Sequence, residues 1–142
     1  MKAFLTKLTL ILLLISSQLH AGDSAISPFI VQSFNHHFTN ARNVTWKEAD
    51  GLYRAGFTLE GREIFAYFNA TGELVVVAEA ISIDSVPASL QQELIKKTQT
   101  GNHVSVYKLD DTEGITYYAL YSKDNRQVTL RSSGKRWIVQ KM

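Results

Sequence analysis

The 142-residue chain contains no cysteine. That absence removes disulfides, a thiolate nucleophile and every cysteine–zinc site. It also excludes a lipoprotein tethered through a cysteine at a cleavage site. Proline is scarce, at two residues. Both fall where a helix is expected to begin, so the strand patterns run without a proline break. A membrane-spanning helix needs roughly 20 apolar residues, and the uncharged run Leu8–Ser17 has ten. No HExxH or Asp/His cluster is present for a metal, and no GxSxG for a serine nucleophile.

The short apolar run has its own meaning. Lys2 and Lys7 precede or open it, and "QLHA" closes it on the small residue Ala21. This is the pattern of a secretory signal peptide over 1–21, with the mature chain periplasmic or secreted. The leader holds two lysines and no acid, so its removal leaves 13 basic and 13 acidic residues. A neutral mature chain gives no support for nucleic-acid binding, which depends on a net basic surface. Without disulfides, the remaining 121 residues must fold on their apolar core alone, a length that suffices.

Hydrophobic spacing gives the organisation. In "ISPFIVQSFNHHFTNA", Ser27 suits an N-cap and Pro28 the first helical position. Ile30, Phe34, Phe38 and Ala41 then recur along one helical stripe. "NVTW" and "LYRAGFTL" switch to strand alternation, with Tyr53, Ala55 and Phe57 on one side and Arg54, Gly56 and Thr58 on the other. "EGRE" is a turn, "IFAYF" a strand, "NATG" a turn and "ELVVVAEAI" a strand. "SVPASLQQELIKKTQTG" starts the same order again: a helix with Leu90 and Leu94 as its stripe, then "HVSVYKL", "ITYYALYS", "QVTLR" and "RWIV" as strands. The expected fold class is α+β. It is a tandem repeat of a helix followed by antiparallel strands, 22–84 and 85–142, with the two helices packed on one face of an antiparallel sheet and the halves forming one compact domain.

The stretch "FNHHFTNARNVTWKEADGLYRAGFTLEGREIFAYFNATGEL", Phe34–Leu74, resembles the PepSY-like beta-lactamase-inhibitor-like family of small exported proteins from Bacteroidetes-type bacteria. The likeness rests on Phe34, Phe38 and Ala41, on Val44 and Trp46, on Tyr53, Ala55 and Phe57, and on Ala66, Phe68 and Gly72. It continues more loosely through Pro87, Val104, Tyr117, Tyr118 and Gly134. Thr39 departs from the pattern, where members often carry proline, and the basic final strands depart again. The resemblance implies a helix-plus-sheet repeat whose sheet grips another protein, and it implies no catalytic residue.

The chemistry-bearing residues read blandly. His36 and His37 are neighbours, which on a helix point about 100° apart and do not share a metal. "DDTEG" has too few and too crowded carboxylates for an EF-hand loop and reads as a polar hairpin turn. Serines of "RSSGKR" sit beside Lys135, and small turn residues account for them better than a Ser–Lys pair. Glu60, Glu63 and Glu73 sit at turn edges and form no glycosidase pair. The sequons at Asn43 and Asn69 are strand and turn chemistry. No catalytic residue, metal or cofactor is assigned.

Two features remain as binding candidates. In "IFAYF", Phe65 and Tyr67 share the face of Arg54 and Gly56, opposite Ile64, Ala66 and Phe68; Tyr118 is placed with them from the second half. Either this face is open and its aromatics anchor a protein, or other segments cover it. The second feature is the basic tail, where Arg131, Arg136 and Trp137 accompany Lys123, Arg126, Lys135 and Lys141 against Asp124. It either attracts an acidic protein or an anionic envelope surface, or protects an edge strand by charge. The function expected is a non-enzymatic periplasmic module binding a protein or peptide through the open sheet face, an inhibitor in the family's manner. The alternative is a carrier or sensor of a small apolar or anionic ligand.

Overall fold

Phe34 lies at the centre of an aromatic cluster. Its ring centroid is 5.4 Å from Trp46, 5.0 Å from Phe57 and 6.3 Å from Phe68. This comes from a computed structural model, which describes residues 25–98 and 103–140. The leader expected over 1–21 lies outside the described residues. Within them, α1 is Pro28–His37, followed by β1 (Arg42–Ala49), β2 (Leu52–Leu59), β3 (Arg62–Phe68) and β4 (Leu74–Ile81). A 3₁₀ turn (Ile83–Ser85) then leads to α2 (Ala88–Lys97), β5 (Ser105–Asp111), β6 (Gly114–Lys123), β7 (Arg126–Ser133) and β8 (Arg136–Val139). The fold is α+β, with an eight-stranded antiparallel open sheet whose strands follow chain order.

The hairpins are tight because their turn residues accept a left-handed backbone. Asp50 and Gly51 join β1 to β2 at φ 52° and 77°, and Glu60 and Gly61 join β2 to β3 at 52° and 78°. Asp124 and Asn125 do the same between β6 and β7, at 51° and 58°. Two successive positive φ values match the twist of the flanking strands, the reason such turns favour Asp, Asn and Gly.

The chain divides into two units. The first comprises the described residues up to Gly61 together with Phe65–Val75. Here α1 buries Ile30 and Phe34, while Phe38 reaches Phe57 at 4.8 Å. Ala41 does not join the stripe as expected. The Phe38 N–H caps the helix on the Phe34 carbonyl at 2.9 Å, and Asn40 turns the chain at φ 89°. The Asn69–Gly72 turn docks on the helix, with Ser33 Oγ donating to the Gly72 carbonyl at 2.6 Å. Asn69 Oδ1 organises that turn by accepting from Thr71 and Glu73 N–H, both at 3.0 Å. Gly72 stands at φ 77°, and a Cβ there would meet the Phe29 ring at 2.8 Å. Only glycine fits both demands.

The second unit comprises Arg62–Ile64 and the described residues from Val76 onward. Leu90 and Leu94 of α2 pack on Val106, Ala119, Leu130 and Trp137. Pro87 is the N-cap of α2, and Ser85 belongs to the 3₁₀ turn before it. Trp137 ties the last strand to the helix twice: Nε1 donates to the Leu90 carbonyl at 2.7 Å and its N–H to Glu93 Oε2 at 3.1 Å. A mid-helix carbonyl has a second lone pair to offer. Glu79 holds Arg62 at 3.1 Å and Lys108 at 3.3 Å.

Replacing Trp137 with Phe keeps most of the ring packing and deletes the bond to Leu90. The expected loss is about 1–2 kcal/mol in urea unfolding. An unchanged midpoint contradicts this role for the indole.

Candidate functional site

Strand pairing decides which side chains share a face. Thr45 lies across from Gly56 and Lys47 across from Arg54. Phe65 joins this side, because a Cβ placed on Gly56 would lie 3.3 Å from the Phe65 ring and 3.1 Å from Thr45 Oγ1. Gly56 is therefore a seat, where a missing side chain lets an aromatic lie across the neighbouring strand. The Arg54 guanidinium carbon stands 5.1 Å from the Phe65 ring centroid, a cation–π contact. Arg54 and Phe65 are both half-buried. The opposite side of the same strands carries Ala55, Phe57, Ala66 and Phe68, all buried, with Phe57 and Phe68 near the Phe34 ring of α1. The face away from α1 thus displays a stacked Arg–Phe pair.

Its charge is mostly of one sign. Arg42 pairs with Thr58 across a β-bulge, so Arg42, Lys47 and Arg54 share this face, with Glu63 as the acid that alternation adds. Lys47 and Arg54 are direct cross-strand neighbours. Like charges in that position repel each other across a sheet, and together they make this part of the face positive.

Three of the expected anchors are corrected. Tyr67 and Tyr118 have relative exposures of 0% and Trp137 of 4%. Trp137 is in the α2 core. Tyr118 is on the sheet face away from α2, but that face is closed, since Leu109, Leu120 and Thr129 are buried beside it. The physical reason lies in the pattern. "IFAYF" and "TYYALY" are apolar at both alternating sets of positions, so their second face is covered over part of its length, at Tyr67 and Tyr118, while Phe65 stays half-buried. Arg131, paired with Tyr118, is half-buried, and Arg136 is exposed beside the β7–β8 turn. The structure therefore brings Arg54 and Phe65 together and adds Lys47 and Gly56, which sequence reasoning did not select as binding residues. A glycine inside a strand was the available signal for a close approach.

The histidines take ordinary helix positions. Both are exposed, and their rings are perpendicular at 5.8 Å. His37 Nδ1 lies 2.8 Å from the Ser33 carbonyl. Among the described residues, no group of three His, Cys, Asp or Glu side chains is placed to hold a metal. Asp111 Oδ1 accepts from the Glu113 N–H at 2.8 Å, which makes it a turn former. Among the described residues no helix is long and apolar enough to cross a membrane.

Neither a family model nor a curated protein matches the chain. Solved structures do. A BLIP-like protein from Bacteroides fragilis is 18% identical with a TM-score of 0.65, over 80% of this chain and 84% of that one. A DUF2874 family protein from Bacteroides ovatus is 19% identical with a TM-score of 0.66, over 81% and 84%. A candidate periplasmic protein from Bacteroides eggerthii is 16% identical with a TM-score of 0.68, over 79% and 87%. The chain has their fold, and at that level the resemblance in the aromatic and glycine pattern is borne out.

The seat is testable by a double-mutant cycle. Gly56→Ala pushes on the Phe65 ring and costs about 1–2 kcal/mol; in a Phe65→Ala background most of that cost disappears. Equal costs in both backgrounds contradict the Phe65 contact as its origin.

Proposed function

We propose that this chain is a non-enzymatic binding module of the bacterial envelope, delivered by its leader to the periplasm, that docks a protein or peptide on the sheet face opposite α1. The observation that carries the reading is the Arg54–Phe65 stack seated on Gly56. An arginine and an aromatic held rigid before binding lose little entropy when a partner arrives, and these residue types dominate interface energetics. Lys47 beside Arg54 adds steering toward an acidic partner surface. The BLIP-like description of one structural neighbour and the candidate periplasmic description of another support the same compartment and mode. Inhibition of the captured partner is the activity to assay.

The module reads as two copies of one unit, 22–84 and 85–142, each a helix with its own strands. The support is the recurrent order of a helix followed by four strands. Of the basic tail, Arg136 remains an exposed residue for an acidic partner.

The test is capture from envelope extract by the mature chain. A stoichiometric protein partner is expected, and Arg54→Ala and Phe65→Ala each weaken it by about 2 kcal/mol with the fold intact by circular dichroism. Capture untouched by both changes contradicts the assigned face. A co-purifying small molecule in native mass spectrometry, without any protein partner, contradicts the docking role.

A further inference from the structure

A cleft of about 460 Å³ lies where the chain leaves α1 for β1 and where β2 turns into β3. It is lined by Asn40, Arg42, Asn43, Thr58, Glu60 and Gly61. Among the described residues, no apolar side chain lines it. The backbone around it is distorted in a way the hairpins do not require. Among the described residues, non-glycine positive φ values occur at Asn40, Asn43, Asp50, Glu60, Asp124 and Asn125. Asp50, Glu60, Asp124 and Asn125 sit in two-residue turns that demand them. Asn40, at φ 89°, is in the turn that joins α1 to β1, and Asn43, at φ 53°, is in the bulge of β1; both line this cleft. Between Arg42 and Thr45 the register of β1 shifts against β2. Bulges of this kind re-aim a side chain and recur beside functional sites, as does left-handed backbone in residues with a Cβ. Here the distortion flanks Arg42 on both sides. The side chains of Asn40, Arg42 and Asn43 make no hydrogen bond or ion pair among the described residues. An asparagine in this conformation ordinarily bonds its own backbone, so these amides are left available.

We propose that the cleft binds the carboxylate of a small monoanionic ligand, of dipeptide or monosaccharide size. The Arg42 guanidinium is a planar fork that matches a carboxylate with two parallel hydrogen bonds. The amides of Asn40 and Asn43 and the Thr58 hydroxyl donate and accept, which suits the amide or hydroxyl groups of the rest of the ligand. Glu60 on the rim opposes a second negative charge and so disfavours a phosphate dianion. The volume falls within the roughly 300–1,000 Å³ range of small-molecule sites. A peptide C-terminus and a uronic acid share this chemistry. The cleft borders the face of the Arg54–Phe65 stack, shares neither residue of that pair, and does not depend on its docking role.

The test is a nitrogen-15 NMR titration of the mature chain with alanyl-alanine, its C-terminal amide, glucuronate and glucose. Saturable shifts are expected at the amides of Asn40, Arg42, Asn43 and Gly61 with a free carboxylate, and none with the amide or glucose. Arg42→Gln, an exposed substitution that leaves the rest of the spectrum unchanged, weakens binding by about tenfold or more. Asn43→Gly keeps the left-handed backbone, removes the amide, and weakens binding by a smaller factor. A response to alanyl-alanine alone supports a peptide end as the source, a response to glucuronate alone supports an acidic sugar, and both together support carboxylate recognition as such. Absence of saturable shifts with either acid, equal shifts with the neutral probes, or undiminished binding by Arg42→Gln overturns the proposal. Loss of protein docking on Phe65→Ala has no bearing on these outcomes.

Discussion

Strand register is the constraint on which every other feature depends. A slip of one residue between β1 and β2 would move Lys47 off the Arg54 face and bring Trp46 out of the Phe34 cluster. The register is held from both ends. At the tip, Asp50 and Gly51 close the hairpin with paired positive φ values. At the open end, the bulge near Asn43 absorbs one residue and restores Arg42 to the face of Thr58. Between them, Thr45 Oγ1 donates to the Gly56 carbonyl at 3.3 Å, a weak bond at the position where the two backbones and the Phe65 ring converge. Packing then follows from parity: aromatic rings toward α1, cations and the seated phenylalanine away from it.

Local chemistry made most of the architecture legible in the amino-acid order. Pro28 and Pro87 announce the helix starts, and Asp-Gly, Glu-Gly and Asp-Asn announce the hairpins. Clean alternation in "LYRAGFTL" placed Arg54 and Gly56 on one face and Ala55 and Phe57 on the other, as found. What was not legible is coverage. Alternation assigns a side chain to a face but does not say whether chain lies over that face. Tyr67 and Tyr118 were assigned to open ground and are buried. Long-range contacts decide that outcome. The end of α1 was overrun for a related reason: Ala41 fits the helical period, but the left-handed turn at Asn40 breaks it. Arg42 escaped notice as well, since its face depends on a bulge that no spacing rule reveals.

The candidate surface and the cleft share one physical character. Each gathers polar or cationic side chains at one place on β1 and β2. On the face away from α1, two cations oppose each other across adjacent strands. At the cleft, two asparagines hold left-handed backbone, and their amides make no hydrogen bond among the described residues. Elsewhere the same chain is economical, with Ser33 and Asn69 securing a turn and Trp137 satisfied at both nitrogens. Local violations set against general consistency are where binding roles are expected. The structural neighbours share the fold at 16–19% identity, so the side chains that line these places must be argued from this chain's own geometry.

Cysteine accessibility tests the faces most directly, because the chain has no cysteine of its own. Single-cysteine variants at Thr45 and Arg54 probe the face away from α1, and those at Ala55 and Ala119 probe buried positions. The account predicts that a small thiol reagent labels Thr45→Cys and Arg54→Cys rapidly under native conditions and labels Ala55→Cys and Ala119→Cys only on unfolding. Protection at Thr45 and Arg54, or native labelling at Ala55 as fast as at Arg54, would contradict it.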